Sequence, residues 1–237
     1  MARKTDGGGS ITYLKINGNG VLYETSKVPK EGFIEVSYQD KKTKEEKVTY
    51  HCLYNAGTDE GKISYLDIRE TPYGKNLNIS VKSENGIDAI QVPLFTAKKR
   101  LSPYAKNLAC LLPNLDFNKV VSLVPSTKKD QNGYTDKAIF INYVEGDKGF
   151  VKFAHKFGDN GDIPKAVKTT AVDGTVEYDF KEQDTFLYNV LAKEVQRFKD
   201  FQNSNNSNGS TPDTNVPAET KDVAPQIEND SQDDLPF

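Results

Sequence analysis

A chain of 237 residues holds one large domain or two small ones, and its 36% hydrophobic content is low for a globular protein. The formal net charge of −3 conceals a division: residues 202–237 carry seven acidic side chains against Lys221, a net of −6, which leaves 30 basic and 27 acidic residues in 1–201, a net of +3. No apolar run approaches the roughly 18 residues of a membrane span, and the start lacks the apolar stretch of a signal peptide. Cys52 and Cys110, the only cysteines, form no CxxC pair. A soluble protein of a reducing, intracellular compartment is therefore expected.

Residues 1–10, rich in glycine, read as a flexible lead. From Ile11 the chain turns strand-like: Ile11 to Ile16, the turn Asn17-Gly18-Asn19-Gly20, then Val21 to Tyr23. Asn-Gly between β-formers signals a hairpin, because both turn residues take positive φ. Phe33 to Tyr38 is the next strand, followed by the charged turn 39–46 and a return strand from Lys47 to Tyr54. The turn 55–61 leads into the strand Lys62 to Arg69. Pro72 and Gly74 mark residues 70–75 as another turn. In the next stretch Leu77, Ile79 and Val81 alternate with Asn76, Asn78, Ser80 and Lys82, so one set faces a core and the other faces out. After Asn85-Gly86, Ile87 to Leu94 makes a further strand.

A helix is expected over 102–112, with Ser102 as N-cap, Pro103 at the first helical position and Pro113 as the stop. Strands resume at 119–124, 137–143 and, briefly, 150–153. Residues 155–183 look like loop. A second helix is expected over 185–201, capped by Asp184, with Leu187, Val190, Leu191, Val195 and Phe198 as its apolar stripe. The Asn-, Ser-, Thr-, Pro- and acid-rich segment 202–237 has no means of building a core and reads as a disordered tail behind a single domain, 11–201. Many short strands with one helix between them predict a mainly β protein built on a small barrel, open or closed; an SH3-like barrel or a sandwich fits the periodicity nearly as well.

The sequence holds few catalytic templates. His51 and Cys52 are neighbours in a strand and point to opposite faces, so they cannot share a metal. No HExxH, no Cys/His zinc spacing and no phosphate-binding GxxxxGK[ST] loop occurs. No cofactor and no catalytic residue is expected. A two-metal nuclease built on carboxylates alone stays open, because its ligands can lie far apart in sequence.

Aromatic and basic residues are interleaved in several segments, as single-stranded nucleic acid requires: ring faces stack bases while Lys and Arg follow the phosphates. The candidates are Tyr65 with Arg69, Tyr73 with Lys75, Lys82, Lys137 with Phe140 and Tyr143, and Lys152 with Phe153. Core burial is the ordinary alternative for any one of these rings. In the 70–75 turn, Gly74 lets a ligand approach the backbone or simply supplies a positive φ.

The final residues, Ser231-Gln232-Asp233-Asp234-Leu235-Pro236-Phe237, place an apolar tip on a solvated tail. This ending resembles the acidic tip of bacterial and phage single-stranded DNA-binding proteins, which typically end in Asp-Asp-aliphatic-Pro-Phe. The stretch from Gly61 to Leu94, with Leu111-Leu112-Pro113-Asn114-Leu115-Asp116, also resembles a module of tailed-phage proteins of that kind. The resemblance implies an OB-fold body with the first helix between the third and fourth barrel strands, coating single-stranded DNA in replication, recombination and repair in the cytoplasm of a bacterial host. It implies that the tip Asp233–Phe237, Leu235 and Pro236 included, docks on a polymerase, helicase, primase or nuclease, with the Phe237 ring in an apolar pocket, its α-carboxylate on an Arg or Lys, and Asp233 and Asp234 on a basic rim. A protein-binding adaptor whose tail is only a tether is the alternative.

Overall fold

The structure, a computed structural model, describes residues 10–40, 43–72, 74–129, 135–144 and 149–206. Seven strands make the largest sheet: β1 (Ile11–Ile16), β2 (Leu22–Ser26), β3 (Ile34–Gln39), β4 (Glu46–Tyr54), β5 (Lys62–Thr71), β6 (Gly74–Ser83) and β7 (Gly86–Pro93). Their spatial order is β3-β4-β2-β1-β7-β6-β5. All neighbours are antiparallel except β1 and β7, which run parallel with Tyr13 opposite Ala89. The β1–β2 hairpin forms, but not through a positive-φ Asn-Gly pair: of residues 17–20 only Gly20 takes a positive φ, +72°, and Asn17 Oδ1 closes the turn by accepting from Asn19 N at 3.0 Å and from Val21 N at 2.9 Å.

The first helix, α1 (Pro103–Leu111), starts where expected, because the Ser102 hydroxyl accepts from Ala105 N. It runs into a 3-10 turn at Leu112–Asn114. A second sheet holds β8 (Val121–Lys129), β9 (Thr135–Tyr143) and β10 (Gly149–Phe150). The strand expected over 150–153 is shorter: β10 pairs with β9 through Phe150, and the last contact is Val151 N donating to Ile141 O at 2.8 Å.

Residues 155–183, expected as loop, contain a hairpin of β11 (Val167–Thr170) and β12 (Val176–Asp179). The last helix, α2 (Lys181–Asn206), begins before Asp184, so that residue is not its cap. Asp179 Oδ1 accepts from Lys181 N at 2.8 Å instead. The helix also continues past the compositional boundary at 202, where Gln202 Nε2 donates to Ser64 O at 2.9 Å. Residues 207–237, and with them the tip, lie outside the described residues.

One apolar cluster joins both sheets and both helices: Leu14, Leu77, Ile79 and Ile90 from the large sheet, Leu123, Ile139 and Ile141 from the small one, and Leu108, Leu187, Leu191 and Phe198 from the helices. Each such side chain contributes roughly 1.5–3 kcal/mol on burial. The sheets meet along one edge of β8. There Gly61 and Val121 exchange both backbone hydrogen bonds, and Thr58 N donates to Leu123 O at 3.0 Å. Glycine is required at this seam, because a Cβ on Gly61 would strike the Lys82 carbonyl and one on Gly57 would strike that of Leu123. The molecule is mainly β, as expected. Among the described residues, however, no continuous ladder closes the strands into a barrel.

Candidate nucleic-acid interface

Pairing registers define the outward face of the large sheet. Side chains alternate along each strand, so the residues paired with an outward one also point out. Four rows follow across β1, β7, β6 and β5. The first is Ile11–Ile87–Lys82–Lys62, and the second is Tyr13–Ala89–Ser80–Tyr65. The third and fourth are Gln91–Asn78–Asp67 and Pro93–Asn76–Arg69. On the other half of the sheet the same face carries Lys15, Tyr23 and Leu53, then Thr25, His51 and Ile34, then Val36 with Thr49 and Tyr38 with Lys47.

The charge on this face is lopsided. Lys47 is taken up by Asp40, just past the end of β3, which leaves Lys15, Lys62, Arg69 and Lys82 against one carboxylate, Asp67. That carboxylate is already engaged: it accepts from Tyr65 Oη at 3.1 Å and meets Lys199 of α2 at 3.0 Å. Burial opposes its ionisation, but the hydrogen bonds from Lys199 and Tyr65 hold it below the usual carboxylate range. Arg69 lies over the Tyr65 ring, 5.2 Å from its centre. Burial, then the Asp67 hydrogen bond, pushes the Tyr65 phenol up.

The floor between the tyrosines consists of small or uncharged side chains, and Tyr13 is 63% exposed. Tyr23 and His51 sit with ring centres 4.8 Å apart. Burial and then the Lys15 charge lower the His51 pKa, so its imidazole is neutral at physiological pH. Burial likewise lowers that of Lys15.

Of the ten body residues singled out from sequence, Tyr65, Arg69 and Lys82 come together on this face. Lys75 pairs with Glu70 and takes the opposite side, lining a groove with Tyr188 and Lys199. Tyr73 lies outside the described residues. Lys137 and Tyr143 fall on the inward side of β9, in register with Ile139 and Ile141. Tyr143 holds the 114–116 turn: its hydroxyl accepts from Asp116 N at 2.9 Å and donates to Asn114 O at 3.2 Å. Phe140 faces outward beside Phe150, their ring centres 5.5 Å apart. Phe153 and Lys152 are exposed beyond β10.

The residues missed from sequence are Tyr13, Lys15, Tyr23 and His51. No local signal marks them, because the β1–β7 and β2–β4 pairings bring them beside the others. Among the described residues no group of three or more His, Cys, Asp or Glu could hold a metal ion, and no helix is long and apolar enough to cross a membrane. Burial pushes the Cys110 thiol up to about 11, which leaves it protonated. Comparison with protein-family models, curated proteins and solved structures finds no match.

Proposed function

We propose that this chain is a non-enzymatic, sequence-independent single-stranded DNA-binding protein of the phage type. The observation that carries the reading is the outward sheet face, with Lys15, Lys62, Arg69 and Lys82 around one neutralised carboxylate, and two tyrosines flanking a floor of Ala89 and Ser80. Flat rings for bases and cations for phosphates are what sequence-independent capture of a single strand needs.

Chain order supports the same reading. Strands β5, β6 and β7 precede α1, and β8 and β9 follow it; the Gly61–Val121 bridge ties the first of these strands to the fourth. This is the order of an OB-fold, which binds oligonucleotides on its second and third strands and on the loop between its first two. Those strands are β6 and β7, and the loop is the Thr71–Gly74 turn. The tip Asp233–Phe237 adds recruitment of replication or repair proteins, since capture of a C-terminal carboxylate is a general mode of peptide recognition. Such a protein would work in the cytoplasm of a bacterial host.

Titration with fluorescent oligo-dT at two salt concentrations tests the proposal. Binding should weaken with salt by roughly 0.7 log units per phosphate neutralised. No binding at low salt overturns it, and cleavage of the oligonucleotide on adding magnesium would replace it with a nuclease.

A further inference from the structure

We propose a second nucleic-acid contact on the turn from Phe95 to Leu101, which takes the phosphates and one base of a single strand leaving the sheet face; it rests on the DNA-binding reading above. Exposure alternates past the end of β7: Pro93 is exposed, Leu94 fully buried and Phe95 exposed. Phe95 thus extends the outward row of Ala89, Gln91 and Pro93, roughly 20 Å from Ala89 at about 3.3 Å per residue.

The turn is closed rather than loose. Phe95 and Leu101 pair as an isolated bridge, Thr96 N donates to Arg100 O at 2.8 Å, and Lys99 N donates to Thr96 O at 2.9 Å. It presents three consecutive cations with different duties. Arg100 is committed to structure: its Nε is 2.6 Å from Asp184, and its guanidinium lies 3.6 Å over the Phe180 ring. Lys106 adds a second contact to Asp184 at 2.8 Å, so that half-buried carboxylate is already matched. Asp179 is engaged at the start of α2.

Lys98 and Lys99 remain exposed, with no acidic partner among the described residues. Lys99 sits at φ +56°, where a lysine is strained and a glycine is not. The turn therefore holds a cation at the position glycine would occupy most comfortably, and conformation gives no reason for it. Beside these charges Phe95 packs on Tyr188, ring centres 6.0 Å apart, and stays 38% exposed. An exposed ring backed by a second ring, next to two unpaired lysines, suits one stacked base and two phosphates.

The test compares a short oligo-dT that covers only the sheet face with a longer one, using the full chain. The variant Lys98→Ala/Lys99→Gly removes both charges and keeps the left-handed turn, so its melting temperature should hold or rise. Its affinity for the long oligonucleotide should fall, with a log–log salt slope shallower by about 1.4, at roughly 0.7 per phosphate. Short-oligonucleotide affinity should be unchanged. Phe95→Ala should weaken long-oligonucleotide binding about fivefold or more. Wild-type affinity and slope in both variants would overturn the second contact alone, whereas a wild-type chain that binds neither oligonucleotide overturns the function on which it rests.

Discussion

Tyr13 and Tyr65 stand in one row across four strands, with only Ala89 and Ser80 between them. At about 4.8 Å per strand the two rings are roughly 14 Å apart, with no large side chain in the row to separate them. The gap is a consequence of register. A slip of one residue in either β1 or β5 would send one tyrosine into the core and raise a leucine in its place.

The pair gives the most direct check of the interface. Tyr13→Ala and Tyr65→Ala should each weaken oligo-dT binding by about 1–3 kcal/mol in a fluorescence titration. Tyr13 is 63% exposed, so its loss should leave the melting temperature within about 0.5 kcal/mol of wild type in stability terms. Tyr65→Phe keeps the ring and removes only the hydroxyl bonded to Asp67, so it should bind like the wild type. Equal loss from Tyr65→Phe and Tyr65→Ala would mean that the hydroxyl, and not stacking, matters.

Much of the fold was legible because local chemistry and tertiary packing agree. Leu77, Ile79 and Val81 alternate and are buried; Ser102 and Pro103 start a helix that exists. The hairpin of β11 and β12 was missed because its strands are exposed at every position, which erases alternation. Asp173-Gly174 was the available signal, since that dipeptide favours the tight turn that joins the strands. Asp184 resembled a cap by residue type, yet its carboxylate serves Arg100 and Lys106 from distant segments. The interface was legible only in part for the same reason. Arg69 lies near Tyr65 in sequence, whereas Tyr13 reaches its row through a parallel pairing that no local pattern specifies.

A second prediction concerns the anchoring of α2. Arg197 donates through Nη2 to Leu112 O at 2.7 Å and Leu115 O at 3.1 Å, and through Nε to Glu194 at 2.5 Å. Its guanidinium also lies 4.3 Å from the Phe117 ring centre. Arg197→Met strands the Glu194 carboxylate, which is only 4% exposed, so it should cost about 3–5 kcal/mol by urea denaturation. Adding Glu194→Gln removes the stranded charge and should restore part of that loss. Strict additivity of the two substitutions would show that the residues do not interact.

Deleting Asp233–Phe237 separates the two duties proposed for the chain. It removes two of the seven acidic residues in 202–237 and no part of the sheet face. Oligo-dT affinity should stay equal or rise slightly, since an acidic segment competes weakly with DNA for a basic surface. Capture of a purified replication or repair protein through the tip should be lost. A large fall in DNA affinity would place part of the DNA site in the tail.

Asp184 predicts a pH dependence of stability. Burial works against its ionised form, but hydrogen bonds from Arg100, Lys106 and the Leu101 amide hold its carboxyl below the usual range. The folded state therefore binds this proton less readily than the unfolded chain. Its stabilisation is complete above the unfolded value, about 3.9, and fades as pH falls through the lower folded value. Asp184→Asn should then cost about 2 kcal/mol at neutral pH, by weakening charge-assisted hydrogen bonds. As pH falls below the usual carboxylate range, the urea midpoints of the variant and the wild type should draw together. Asp67, Asp162 and Asp173 are depressed as well, so the variant should keep some acid sensitivity of its own. A destabilisation of the same size at both ends of the pH range would show that Asp184 acts by shape and not by charge.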